Sequence, residues 1–321
     1  MEQLILSLET PGLFLHKSRG FLEAKKRDHL VSRVSLDDIA AVIVNAHGTS
    51  YTNALIVDLA HRGIPLVLCG KNHMPVAWVQ PLAPNVRQSK YLQAQSQLSK
   101  PRAKSTWKLI VQAKIDWQNF ALRQFGRKSN ALDYLSKVVK SGDPMNTEAQ
   151  AARIYWKQLM GSDFTRDVTK PGANQLFNYG YTILRAAMCR AIVSSGLNPS
   201  FGIHHSSMTN PFRLVDDLME PFRPLIDLKV EKLVASGTEG LDGTTKIFLA
   251  EVMQERLPGN GGGPLMNHLY RLANSYREVV CGETKSLTIA LPKSSNQPLR
   301  AKRKEDGQIK RISPDVASRN V

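Results

Sequence analysis

Short apolar runs separated by polar or glycine-bearing turns fill residues 1–84, where LILSL, GLFLH, GFLEA, AAVIVN, IPLVLC and VAWVQ read as strands. Gly20, in HKSRGFLEA, suits a hairpin. One stretch breaks the pattern. In TSYTNALIVDLAHRG, the apolar residues Ala54, Leu55, Val57, Leu59 and Ala60 recur as in a helix, with Thr49 or Ser50 as its cap and Gly63 as its stop. The pattern predicts a strand-rich domain holding one helix.

From Asn85 the spacing turns helical, most clearly in KSTWKLIVQAKIDWQNFALRQF, where Trp107 and Trp117 sit among Leu109, Ile110 and Phe120 and read as core. NTEAQAARIYWKQLMG has Asn146 or Thr147 as its start and Gly161 as its stop. Its stripe of Ala152, Tyr155 and Leu159, stepped back by four, reaches Glu148 and so aims a carboxylate along the buried face in the first turn. An acid is also what the helix dipole favours there, so Glu148 alone supports either a structural or a functional reading. QLFNYGYTILRAAMCRAIVSS, ended by Gly196, carries Phe177, Tyr181, Leu184, Met188 and Ile192 and should run through the core.

In PFRLVDDLMEPFRPLIDL the buried stripe is Leu214, Leu218, Phe222 and Leu225. Asp217 and Glu220, three apart, are neighbours beside it, and Pro221 and Pro224 distort the turn around Glu220. Arg213 and Arg223 are placed to neutralise a surplus acid. Two more amphipathic helices, TKIFLAEVMQERL and PLMNHLYRLANSYREVVCG, are joined by LPGNGGGP, a flexible connection because no Gly-Lys-Ser/Thr follows it. His268, on the second of them, reads as structural, and His16, His29, His47, His61 and His73 as surface or capping residues. The expected fold class is α+β: a small N-terminal β-rich domain over 1–84 and a larger all-α catalytic domain over 85–284. From Lys285 to residue 321 nine Lys or Arg face three acids with few large apolar residues, which reads as a mobile basic extension.

Charge changes the picture most. The chain has 43 Lys plus Arg against 27 Asp plus Glu, a net +16 with a sequence pI near 9.8, and residues 85–130 alone carry ten basic side chains against the single acid Asp116. A polyanion is the implied partner, nucleic acid ahead of an acidic membrane because no amphipathic or lipidated anchor is evident. Cys69, Cys189 and Cys281 are odd in number and far apart, so buried free thiols in a reducing, cytoplasmic setting are expected. MEQLILSLET lacks a basic leader, and no run approaches about eighteen apolar residues, so neither secretion nor membrane insertion is expected.

The remaining chemistry gathers in NPSFGIHHSSMTNPFRLVDDLMEPFRPLID, where His204 and His205 precede Asp216, Asp217 and Glu220. One imidazole with two or three carboxylates suits Mg²⁺ or Mn²⁺, and on a basic protein such an ion serves phosphodiester chemistry.

NYGYTILRAAMCRAIVSSGLNPSFGIHH followed by LVDDLMEPFRP closely resembles the signature of the CRISPR-associated spacer-acquisition integrases, the Cas-one family, of a Cas-nine-type (type II) system. NTEAQAARIYW resembles that family's preceding catalytic helix. The likeness runs over about residues 1–284 and leaves out the tail. It implies Glu148, His205 and Glu220 as catalytic metal ligands for Mg²⁺ or Mn²⁺, with Asp217 as an outer or alternative ligand. His204 stands where the family pattern is usually apolar, and Trp117 where it often has Asn. Also implied are a homodimer, assembly with the small Cas-two protein, binding of double-stranded and branched DNA, and transesterification by a DNA 3′-hydroxyl. A free-standing metal-dependent nuclease and a non-catalytic DNA-binding scaffold are the rival readings.

Overall fold

Residues 4–70, 75–79, 88–238, 240–257 and 262–292 are described by a computed structural model, and they divide into two compact units, within residues 1–86 and 87–303. The first holds β1 (Leu4–Leu8), β2 (Phe14–Ser18), β3 (Phe21–Lys26), β4 (His29–Ser35), β5 (Ile39–Val44), β6 (Ser50–Tyr51), α1 (Asn53–His61), β7 (Leu66–Cys69) and β8 (Pro75–Val79). They build two four-stranded sheets, β1-β5-β7-β8 and β4-β3-β2-β6. β1, β5 and β7 run parallel, with β8 antiparallel to β7. Alternate residues such as Leu6, Leu8, Leu15, Leu22, Val34 and Val42 meet Leu55 and Leu59 of α1 in one core.

Gly20 does turn a hairpin between β2 and β3, together with Arg19, both at positive φ. A second hairpin, between β3 and β4, places Arg27 and Asp28 at positive φ without any glycine, which is why β4 carries no turn signal in the sequence. Thr49 and Ser50 do not cap α1: Ser50 lies in β6, and the hydroxyl of Thr52 accepts the Leu55 N–H at 3.3 Å. Gly63 follows the helix at φ 65° as expected of a stop. His16 lies mid-strand opposite Glu23, at 3.4 Å from its carboxylate, rather than in a capping position. His73 is outside the described residues, as is LPGNGGGP between residues 258 and 261.

The second unit is helical: α2 (Gln88–Ser96), α3 (Lys100–Gln124), α4 (Asn130–Val138), α5 (Thr147–Met160), α6 (Ala173–Ser194), α7 (Arg213–Met219), α8 (Arg223–Ala235), α9 (Gly243–Ala250) and α10 (Leu265–Val280). A single turn of 3-10 helix, Glu220–Phe222, joins α7 to α8 where Pro221 and Pro224 stand. α3 is the hub. It packs against α4, α5, α8 and the 3-10 turn, while α6 packs against α7 to α10. Trp107, Ile110, Val111, Ile115, Trp117 and Phe120 of α3 are all buried, as the two tryptophans were expected to be. Beyond α10 the chain turns back: Leu287 is buried, and the Trp117 indole N–H donates to the Ala290 carbonyl at 2.8 Å. Residues 293–321 lie outside the described part. The architecture is thus α+β, strands first and helices after. All three cysteines are free and Cys189 is buried, whereas Cys69 and Cys281 are half-buried. Among the described residues no helix is long and apolar enough to cross a membrane.

Candidate active site

Glu148 owes its position to a cap the sequence hides. Neither Asn146 nor Thr147 caps α5 with its side chain. The Asp143 carboxylate instead accepts the N–H groups of Thr147 at 2.8 Å and Glu148 at 2.9 Å, with Asn146 itself left-handed. The buried stripe of α5 is Thr147, Ala151, Tyr155 and Leu159, one residue off the predicted register. Glu148 therefore sits at the margin of that stripe, its side chain 26% exposed, rather than at its centre.

Glu220 arrives from the 3-10 turn and is almost wholly enclosed. Its Oε1 lies 2.8 Å from Arg223 Nε and its Oε2 2.6 Å from Lys114 Nζ. Lys114, from α3, also stands 2.5 Å from Glu148 Oε1. Two carboxylates separated by over seventy positions are thus gathered about one ammonium. Burial would raise the Glu220 carboxyl, but Arg223 and Lys114, helped by His205, hold it below its ordinary range. Burial works against the charge on Lys114 too, yet Glu220 and Glu148 hold its pKa above the usual lysine value.

The two histidines divide their tasks. The ring of His204 lies flat on Trp107, centroids 4.2 Å apart and planes 3° from parallel. His205 stands edge-on to the same indole and is half-exposed. Asp217, fully buried, accepts the N–H groups of Ile203 at 2.6 Å, His204 at 3.0 Å and His205 at 3.3 Å, and takes His205 Nδ1–H at 2.5 Å. Its carboxylate is spent on shaping the loop and fixing the tautomer, which leaves His205 Nε2 without a hydrogen-bond partner among the described residues. The Asp217 hydrogen bond raises the His205 pKa against the effect of burial, and the charges of Asp217, Glu220 and Asp216 add to the rise. Asp216 faces elsewhere, paired with Arg185 and Asn210 at 2.7 Å each. Of the two arginines read as neutralising partners, Arg223 pairs with Glu220, while Arg213 contacts the Met208 sulfur.

Among the described residues no three imidazole, thiol or carboxylate groups surround one point: Glu148 and Glu220 meet at Lys114, whereas the contacts of His205 are with Asp217, Trp107 and His204. Lys114 and Asp143 carry no local sequence signal. Lys114 acts through the meeting of α3 with α5 and the 3-10 turn, and Asp143 through its capping of the first turn of α5.

Residues 6–243 match the family described as CRISPR associated protein Cas1. The chain belongs to the Cas1 family. The CRISPR-associated endonuclease Cas1 of Neisseria meningitidis serogroup C (strain 8013) is 38% identical over 231 residues, 70% of this chain and 76% of that one. Among solved structures, a casposase bound to integration product superposes with a TM-score of 0.73 at 19% identity, over 94% of this chain and 96% of that one. A Cas6-RT-Cas1–Cas2 complex gives a TM-score of 0.73 at 19% identity, over 92% of this chain and 37% of that one. At such identities these two likenesses are of fold alone.

Proposed function

We propose that this Cas1-family chain is a DNA integrase and endonuclease of CRISPR adaptation, joining 3′-hydroxyl ends of captured DNA to a repeat array at a Mg²⁺ or Mn²⁺ site. The observation that carries the reading is the convergence of Glu148 and Glu220 on a single cation, Lys114 Nζ, at 2.5 and 2.6 Å. Lys114 stands in for a cation, and the donors around it fit one. Two carboxylates of hard oxygen character, with the Nε2 of an imidazole oriented by Asp217, are the donor set that Mg²⁺ or Mn²⁺ accepts. Glu148, His205 and Glu220 would hold the ion. When bound, it supplies a Lewis acid that favours an ionised hydroxyl and offsets charge developing on the phosphodiester.

The chain's own residues do the rest. Asp217 and Trp107 fix the imidazole plane, Arg223 fixes one oxygen of Glu220, and Asp143 fixes the turn that bears Glu148. In the joining step the 3′-oxygen forms a bond to phosphorus as the bond to the departing 3′-oxygen breaks, so one phosphodiester replaces another. Water in place of the hydroxyl gives cleavage. Double-stranded and branched DNA, a second copy of the chain and the Cas2 protein are the partners this reading takes from the family and from the named relatives.

Strand-transfer assays with 3′-hydroxyl-ended and branched DNA test it. Joining in the presence of Mg²⁺ or Mn²⁺, reduced by about 10²-fold or more in Glu148→Ala and Glu220→Ala, is the expected result. Cleavage without joining selects the free-standing nuclease instead. Both activities surviving in the two variants would move the chemistry elsewhere.

A further inference from the structure

Lys114 and Gln118 stand one helical turn apart on α3 and line one cavity of about 150 Å³ with Glu220, Arg223, Tyr181 and Asp227. Most polar groups in this cavity are already engaged. Arg223 pairs with Glu220, and the Asp227 oxygens accept the hydroxyls of Tyr155 at 3.0 Å and Tyr181 at 2.5 Å. Gln118 is the exception: it is 3% exposed, and its amide oxygen has no hydrogen-bond partner among the described residues. An acceptor left in that condition has lost its hydration without gaining a bond, so a donor for it in another state of the protein would recover that loss.

The ammonium of Lys114 is that donor. It lies within 2.6 Å of both glutamates, and a divalent ion cannot share those oxygens with it against the mutual repulsion of the two cations. Conversely, a buried Glu220 and a partly exposed Glu148 whose carboxylates both lie within 2.6 Å of one point repel each other strongly without a positive charge between them. Side chains four apart on a helix lie about 5–6 Å apart at Cβ, within the swing of a lysine. Resting on the metal-site reading above, we propose that Lys114 is the resident counter-ion of the metal-free site. It yields its place to the divalent ion and moves into the adjoining cavity, where the Gln118 amide oxygen accepts its hydrogen bond. The exchange keeps the glutamates neutralised in both states and retains an ammonium beside the reacting phosphate.

Titrating the full-length chain with Mn²⁺ alone, by calorimetry and by the spin resonance of free Mn²⁺, tests the exchange, with thermal unfolding as a second readout. Lys114→Met should unfold at lower temperature without metal, bind Mn²⁺ about tenfold or more tightly than wild type, and gain more from it in Tm. Gln118→Leu should bind Mn²⁺ several-fold more weakly, and should have no such effect in the Lys114→Met background. Mn²⁺ binding that is lost in Glu148→Gln but unchanged or weakened in Lys114→Met overturns the exchange and leaves the metal site standing. A wild-type chain that takes up no Mn²⁺ overturns both. If Lys114→Met fails to fold, Gln118→Leu decides, and wild-type affinity in that variant overturns the proposal.

Discussion

Asp227 is one more acid beside arginines in the sequence, and its surroundings make it a titrating group. Burial raises its carboxyl to about 7, against the lowering effects of the Tyr181 and Tyr155 hydroxyls and of Arg223 and Lys114. In the unfolded chain an aspartate titrates near 3.9, so between about pH 4 and 7 the folded state holds more protons. The stability this residue contributes is therefore full below about pH 4 and is lost as pH rises through 7. Glu220, held low, acts in the opposite sense, its contribution being lost as pH falls. Comparing wild type with Asp227→Asn isolates the first effect. The variant should flatten the rise in stability toward acid by on the order of 2 kcal/mol, read from urea unfolding at a series of pH values, and parallel profiles would refute it. The site itself is unevenly legible in the sequence. Glu148, His205 and Glu220 stand in recognisable motifs, but the spacing of Asp217 from Glu220 does not reveal that Asp217 holds the Ile203–His205 loop while Glu220 meets Lys114 and Arg223. Lys114 is one of ten basic residues over 85–130, and only the passage of α3 between α5 and the 3-10 turn distinguishes it.

At the scale of elements, periodicity finds what is long and amphipathic and misses what depends on contact. α3, α5, α6 and α10 follow from their apolar spacing, and the interruption of α7–α8 follows from two prolines. β4 does not, because its hairpin uses Arg27 and Asp28 in place of glycine. Nor does the loop before α7 reveal why Gly202 precedes the histidines. Its backbone is not left-handed, but a Cβ there would lie 2.5 Å from the His205 carbonyl oxygen, 2.8 Å from Arg213 Cβ and 3.2 Å from Asp217 Oδ2. The loop is wrapped around the Asp217 carboxylate so closely that a methyl group displaces it. Gly202→Ala should cost about 1–3 kcal/mol and lower strand transfer, with helical content kept in far-ultraviolet circular dichroism. Gly240, with nothing within 4 Å of its would-be Cβ, provides the control. Equal stability of the two alanine variants would mean that the loop does not depend on this approach.

For the whole molecule the question is how much of the +16 charge is free to meet a polyanion. Part of the basic run over 85–130 is spent inside the helical unit: Lys114 on two glutamates, Arg123 on Asp133, Arg127 on Glu231, and Arg102 on the Val279 carbonyl. Composition counts these with the rest, and only tertiary structure subtracts them. Lys100, Lys104, Lys108 and Lys128 remain without an acidic partner at ion-pair distance among the described residues, and Lys100, Lys104 and Lys128 are exposed. If these four meet backbone phosphates, each neutralised phosphate contributes about −0.9 to the slope of log affinity against log salt. Wild-type binding to duplex DNA should thus fall steeply with salt. Replacing all four lysines by alanine should make that slope shallower by about 2–4 while weakening binding to unrelated sequences alike, because phosphate contacts carry no base information. An unchanged slope in a folded variant would assign the phosphate contacts to other basic residues. A shallower slope with strand transfer kept at low salt would separate the residues that hold DNA from those that act on it.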